Sequence, residues 1–271
     1  MTSYYWEPHT SSIDFCESNY YHFPTIVEFH NTWSSLLGVA SFGLIGAIWN
    51  NPTKEVRTVL AYLILFFIGV GSTGLHLSLN AVYQASDELP MLWESAALNF
   101  MCLEYDAPMG KPHFPRLPYF FVALSVFQTI VYYRFRDNYI LFIFTYAFGV
   151  VLHLILGYKI VIVGRARRGP ITKKLGTMAL ITYIMVGLPV WVLDMFHCDA
   201  ILRISETMLP PGIWRGITPH VLWHFSAAFG TYCAIGCAIA CRLEELQLPF
   251  RLEYLGGLVP ILVLVEDKKN S

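Results

Sequence analysis

The sequence predicts an all-α, polytopic membrane protein built as a bundle of seven transmembrane helices. Of its 271 residues, 55% are hydrophobic and only 14% are charged, which is too apolar for an ordinary soluble domain. The apolar runs also have the length of spanning helices, not of the alternating strands of about ten residues that form membrane barrels. Because helices and closed barrels alone satisfy every backbone polar group in hydrocarbon, we expect helices throughout.

Windows of about 17 to 25 mostly apolar residues identify the individual spans. The third is interrupted by Glu94, and four prolines separate it from the fourth. We predict spans at residues 32–50, 57–79, 89–104, 118–134, 139–163, 175–196 and 219–241. Since no internal repeat is visible, we expect one domain over residues 1–245 and a cytosolic tail over residues 246–271.

Lysines and arginines predict the orientation of the spans. Thirteen lie in the loops after the first, third and fifth spans or in the tail, and four lie in the loops on the opposite side. This distribution predicts a cytosolic C-terminus and, with seven spans, a lumenal N-terminus. The first thirty residues lack a basic segment followed by an apolar core, so we expect no cleavable signal peptide.

Three histidines fall at one predicted depth in this bundle. His76 lies near the outer end of the second span, and His220 and His224 share one face at the outer beginning of the seventh. Three histidines with an open fourth position are typical of a catalytic zinc. A single membrane histidine, such as His153, is more typical of hydrogen-bonded packing. The convergence of three favours an intramembrane zinc site, because polar groups in a bilayer are costly.

Ser72 and Asp87 are candidate catalytic partners of that site. Ser72 lies one helical turn from His76 on the same face, and Asp87 is predicted in the outer loop before the third span. A carboxylate beside a metal can move protons during hydrolysis of an amide or ester. Two alternatives stay open, a bond from Ser72 to its own helix backbone and an Asp87 cap on the third helix. Asp194 is either a carboxylate that orients a histidine or an ordinary interhelical hydrogen-bond partner.

The N-terminal segment, residues 10–30, is rich in oxygen ligands. Asp14, Glu17 and Asn19 stand at short spacing and are followed by Glu28. Calcium prefers six to eight oxygens, but this spacing is not an EF-hand loop. From the residues alone, helix capping and surface solvation are favoured over a calcium site.

Cysteine positions agree with the predicted orientation. Cys16 and Cys198 fall on the outer side, where disulfides persist. A disulfide between them is therefore one of the possibilities. The other four cysteines fall towards the inner ends of their helices.

Five short motifs stand in one order between about residues 5 and 245. They are Asp14-Phe15-Cys16-Glu17-Ser18-Asn19-Tyr20, Glu28-Phe29-His30-Asn31-Thr32, Gly71-Ser72 with His76, Asp87-Glu88-Leu89-Pro90-Met91, and His220-Val221-Leu222-Trp223-His224. Together they resemble the alkaline ceramidase family. The resemblance implies a seven-span intramembrane zinc amidase of the endoplasmic reticulum or Golgi that cleaves ceramides to a sphingoid base and a fatty acid.

Site residues are also implied by this resemblance. It implies zinc (Zn²⁺) on His76, His220 and His224, with Ser72 and Asp87 beside it. The regulatory calcium (Ca²⁺) ligands that it implies are the side chains of Asp14, Glu17, Asn19 and Glu28 and the carbonyl of Phe15. It further implies a disulfide between Cys16 and Cys198. Two departures from the family pattern are Phe15, where Trp is usual, and Ser35, where Asn is usual.

The expected activity is therefore calcium-regulated ceramide hydrolysis, with ceramide supplied by the bilayer. A net charge of −1 argues against a nucleic-acid partner, and no obligate protein partner is inferred. One alternative is a seven-helix receptor of the adiponectin and progestin type, which has the opposite orientation. A second alternative is a transporter or scaffold whose polar residues line a cavity.

Overall fold

The structure is a computed structural model that describes residues 4–164 and 168–265, and it is predominantly helical. Eight helices occur in those residues: α1 Phe29–Trp49, α2 Val56–Ser78, α3 Ala81–Leu103, α4 Leu117–Arg134, α5 Tyr139–Val163, α6 Pro170–Phe196, α7 Cys198–Thr207 and α8 Pro219–Glu245. Five of them, α1, α2, α5, α6 and α8, are long and apolar enough to cross a membrane, which indicates an integral membrane protein. Arg165, Arg167, Lys268 and Lys269, which enter the orientation prediction, lie outside the described residues.

Helix α3 begins at Ala81, well before the predicted start at residue 89. Asn80 caps it, because its side chain accepts a hydrogen bond from a backbone N–H of the first turn. Residues 81–88, which the sequence analysis placed in a loop, are helical, and the side chains of Gln84 and Glu88 are buried. Asp87 therefore lies inside α3, and both the predicted loop position and the alternative of an Asp87 cap are wrong.

Helices α2 and α3 approach each other closely at Gly71. A Cβ atom added to Gly71 would lie 2.1 Å from the carbonyl oxygen of Ser86. Any larger residue would force the helices apart, so the glycine permits the contact. The approach brings Ser72 of α2 against Asp87 of α3.

Two strands follow the last helix. Strand β1, Phe250–Leu255, pairs antiparallel with β2, Val259–Leu264, across a turn in which Gly256 and Gly257 both have positive φ. Leu262 is buried in the main core, and its N–H donates to Oδ1 of Asn50 at 2.8 Å. The expectation of an exclusively helical fold is therefore wrong in this segment, because its apolar residues pair as strands against the bundle.

The N-terminal segment is held against the end of the bundle where α2 finishes. The backbone N–H of Glu28 donates to the carbonyl of His76 at 3.0 Å. Cys16 and Cys198 form a disulfide, which joins the segment to the first residue of α7. The segment is thus part of the folded unit.

Candidate metal centre

Three histidines meet where the last turn of α2 faces the first turns of α8. His76 comes from α2, and His220 and His224 lie four residues apart on α8. One nitrogen of each ring lies within 4.8 Å of a nitrogen of each other ring, and all three side chains are buried. Among the described residues, this is the one group of three or more histidine, cysteine or acidic side chains that could hold a metal ion.

Each histidine ring has an oxygen near its Nδ1. Oε2 of Glu28 is a hydrogen-bond partner of His76, and the Ser34 hydroxyl is a hydrogen-bond partner of His224 at 2.7 Å. Oδ2 of Asp194 lies 3.7 Å from Nδ1 of His220, which has no hydrogen-bond partner among the described residues. Metal-binding histidines are commonly held this way, because an Nδ1 proton shared with oxygen orients the ring and leaves Nε2 to the metal. Nε2 of His76 is buried without a hydrogen-bond partner among the described residues. The donor set therefore fits zinc with three protein ligands.

Asp194 lies at the C-terminal end of α6 and is almost completely buried. Its Oδ2 faces His220 and also accepts a hydrogen bond from the N–H of Cys16 at 3.3 Å. Its Oδ1 has no partner within the part of the chain that the structure describes. These contacts fit a carboxylate that orients His220, and they connect the histidine to the disulfide.

Ser72 connects Asp87 to the histidine cluster. Its hydroxyl interacts with the Asp87 carboxyl and lies 3.0 Å from the Ser35 hydroxyl. Ser35 in turn lies 3.4 Å from Nε2 of His224. Ser72 therefore bonds to neighbouring helices, and the alternative of a bond to its own backbone is not observed among the described residues.

Ser34 and Ser35 are site residues that the sequence analysis did not predict as such. With Asn31 they stand at i, i+3 and i+4 in α1, and all three are buried. A polar stripe at helical spacing within an apolar span is the signal that identifies them.

The five predicted calcium ligands lie in one segment against the same end of the bundle. Glu17 and Glu28 are buried, whereas Asp14 and Asn19 are exposed. The Asn19 side-chain amide donates to Oδ2 of Asp14 at 3.2 Å. The N–H of Phe15 donates to Oε1 of Glu28 at 3.2 Å. The structure thus gathers these residues around two buried carboxyl groups.

Both carboxyl oxygens of Glu17 have a role in the fold. They accept hydrogen bonds from the N–H groups of His30 and Asn31 at 2.6 and 2.8 Å, so that helix capping is observed for this residue. Burial and the neighbouring Glu28 carboxyl raise the pKa of Glu17 to about 9. Burial and the Asp14 carboxyl likewise raise the pKa of Glu28 well above its ordinary value. A hard cation would relieve this crowding, so the donor set fits calcium.

Two residues connect the N-terminal acids to the histidines. The Glu28 carboxyl contacts Nδ1 of His76. The Phe15 ring packs with its centroid 4.1 Å from that of His220 and 4.9 Å from that of His76. The arrangement of the N-terminal segment therefore bears directly on the candidate metal centre.

Comparison with known proteins identifies the family. The family model described as Ceramidase matches residues 7–255. The chain belongs to the ceramidase family. This ceramidase-family chain is 28% identical to alkaline ceramidase 3 of Mus musculus over 269 residues, which cover 98% of this chain and 97% of the relative. It is 29% identical to an alkaline ceramidase of Arabidopsis thaliana with the same coverage, and 26% identical to one of Saccharomyces cerevisiae over 92% of this chain and 82% of the relative.

These matches confirm the resemblance predicted from the motifs. The relatives are named as ceramidases, and the ceramidase-family chain is therefore an enzyme of the hydrolase class. The matches do not favour the receptor alternative.

Proposed function

We propose that this chain is an intramembrane zinc-dependent amidase that hydrolyses the amide bond of ceramides, including phytoceramide or dihydroceramide, to a sphingoid base and a free fatty acid. The observation that carries the proposal is the three-histidine cluster with Ser72 and Asp87 connected to it inside an apolar helical bundle. The names of the relatives supply the substrate class. We also propose that α3 and α4 cross the membrane with the five apolar helices, which makes seven spans.

The residues of the site divide the chemistry among them. Zinc held by the three histidines would polarise the amide carbonyl and make water more acidic. Asp87 accepts a proton from water as the water oxygen bonds to the carbonyl carbon. The Ser72 hydroxyl donates a hydrogen bond to the carbonyl oxygen as negative charge develops there. Asp87 then passes the proton to the amide nitrogen, the carbon–nitrogen bond breaks, and the amine and the acid separate.

Metal removal tests this proposal. Protein purified in detergent should contain about one zinc per chain, measured by inductively coupled plasma mass spectrometry. A zinc chelator should abolish release of sphingoid base from ceramide, followed by mass spectrometry of the products. Zinc should restore turnover and magnesium should not, since imidazole nitrogens favour zinc over hard cations. Full turnover by metal-free protein would contradict the zinc assignment.

We propose a lumenal N-terminus and a cytosolic C-terminus, in the endoplasmic reticulum or Golgi. The distribution of lysine and arginine supports this orientation. The Cys16–Cys198 disulfide also supports it, because disulfides persist in the oxidising lumen. A glycosylation acceptor fused to the N-terminus should be glycosylated, and one fused to the C-terminus should not. The opposite pattern would contradict the orientation and would be the one expected of the receptor class.

A regulatory calcium site on the N-terminal segment is a further part of the proposal. Its ligands would be Asp14, Glu17, Asn19, Glu28 and the carbonyl of Phe15. The contacts of Glu28 and Phe15 with the histidines support an effect of calcium on catalysis. The mechanism itself requires ceramide from the bilayer and no protein partner.

The double variant Asp14→Ala, Asn19→Ala tests the calcium site. Both side chains are exposed, so their removal should leave the fold and the zinc content intact. The calcium concentration that gives half-maximal ceramide hydrolysis should rise about tenfold, because the number of charged ligands sets calcium affinity. Asp199→Ala, which removes an exposed acid from α7, should not change it. An unchanged calcium response of the double variant would remove these residues from the site.

A further inference from the structure

We propose that Glu94 makes this enzyme selective for lipids that carry a hydroxyl part-way along the hydrocarbon chain bound inside the bundle. The inference rests on the proposed function and deepens it, because it names a chemical class of ceramide. It also applies to a residue that the hydrolytic mechanism does not use.

A cavity of about 420 Å³ lies among helices α3, α5, α6 and α8. Its volume is within the range of sites that bind small molecules. Most of its wall is hydrocarbon, including Leu98, Leu154, Ile184 and Ala234. The hydrocarbon chain of a lipid fits such a wall, since its methylene groups need no hydrogen-bond partners.

Glu94 interrupts this apolar wall with a carboxyl group. The residue is 4% exposed, and neither carboxyl oxygen has a hydrogen-bond partner among the described residues. Glu88 of the same helix provides the contrast, because its carboxyl accepts hydrogen bonds from Gln84 at 2.9 Å and Tyr132 at 2.7 Å. A buried polar group without a partner is unfavourable, and a ligand that bonds to it removes the penalty. The unpartnered carboxyl of Glu94 therefore indicates a polar group on whatever fills the cavity.

The position of Glu94 indicates where on the lipid that polar group lies. Glu94 follows Asp87 by seven residues, which is about two turns of α3 on one face, or roughly 10 Å along the helix axis. Tyr146 of α5 lines the same cavity. A lipid with its amide beside Asp87 and one chain in the cavity would meet Glu94 part-way along that chain. The hydroxyls next to the amide would remain near Asp87.

A hydroxyl is the group that this environment recognises. A carboxyl accepts a hydrogen bond from a hydroxyl whether or not it carries a proton. The hydroxyl could belong to the fatty acyl chain or to the sphingoid chain, because either could enter the cavity. The substrates of the test therefore carry it on one chain or the other.

The test compares three ceramides in mixed vesicles: one unsubstituted, one with a mid-chain hydroxyl on the acyl chain, and one with it on the sphingoid chain. For the unmodified protein, kcat/KM should be about tenfold higher for one of the two hydroxylated ceramides than for the unsubstituted ceramide. This quotient of the two kcat/KM values is the selectivity ratio. Glu94→Leu should abolish this ratio while it retains hydrolysis of the unsubstituted ceramide. Glu94→Gln, which keeps hydrogen-bonding atoms, should retain part of the ratio. Equal ratios for the unmodified protein and the Glu94→Leu variant would overturn the inference.

A binding measurement separates this inference from the proposed function. A radiolabelled unsubstituted fatty acid or sphingoid base is bound to purified protein and displaced by an unlabelled competitor. The hydroxylated competitor should displace it at a concentration about tenfold lower than the unsubstituted competitor does. Glu94→Leu should remove this difference. If ceramide is not hydrolysed but this binding difference is observed, the proposed function fails and the inference stands. If ceramide is hydrolysed and neither readout depends on Glu94, the inference fails alone. Glu94→Met serves as the apolar variant if Glu94→Leu does not fold.

Discussion

The variant His220→Ala is expected to lose its zinc and to hydrolyse ceramide at least about three orders of magnitude more slowly. The substitution removes one of three buried nitrogens that lie within 4.8 Å of one another. It also leaves the buried Asp194 carboxyl without the histidine that it faces. Loss of a metal that stabilises transition-state charge by several kcal/mol corresponds to a rate effect of this size. Metal analysis and product mass spectrometry on the same purified sample measure both effects.

His113→Ala is the matched control for this prediction. His113 is exposed and lies in the connection between α3 and α4, away from the histidine cluster. Its removal should change neither zinc content nor turnover. Wild-type turnover by His220→Ala would end the zinc proposal, whereas loss of turnover with full zinc content would show that His220 serves another purpose.

The variant Asp87→Asn is expected to retain its zinc and to lose between about two and four orders of magnitude in turnover. Asparagine has the shape of aspartate and can still accept a hydrogen bond from Ser72, but it cannot take a proton from water. General acid–base catalysis by one side chain contributes a rate factor of about this size. Single-turnover hydrolysis of ceramide, measured together with metal content, distinguishes this variant from His220→Ala.

Asp137→Asn controls for the change from acid to amide. Asp137 is exposed in the connection between α4 and α5, and among the described residues its ion-pair partner is its neighbour Arg136. Its substitution should leave turnover unchanged. If Asp87→Asn were equally silent, Asp87 would be a structural partner of Ser72 and the proton acceptor would have to be sought elsewhere.

Helical periodicity was sufficient to predict much of the histidine cluster. Four-residue spacing predicts that His220 and His224 share a face, and the order of the spans predicts that His76 approaches them at one depth. The structure brings the three rings together. The same reasoning misplaced Asp87, because the polar residues between Asn80 and Leu89 look like a loop when their surroundings are unknown. They are helical because the interior of the bundle supplies partners for their side chains, such as the hydrogen bonds of Glu88.

The partners of the histidines depend on contacts between distant segments. Glu28 is 48 residues from His76, and Ser34 is 190 residues from His224. Periodicity predicts which face a residue occupies but not which neighbouring helix that face meets. Glu94 is a second example. The sequence shows that its charge interrupts an apolar span, but only the packed bundle shows that its carboxyl group has no hydrogen-bond partner among the described residues.

The sequence by itself determined the membrane class of this protein, its family and the residue types of its candidate metal centre, because composition, spacing and motif order are local properties of the chain. The tertiary structure alone decided that α3 begins at Ala81, that residues 250–264 form a hairpin against the core, and that Ser35 lies between Ser72 and His224. It also decided that Glu94 lines an apolar cavity. These features depend on which helices pack together, and packing is set by the fit of whole surfaces and not by the pattern of any one segment.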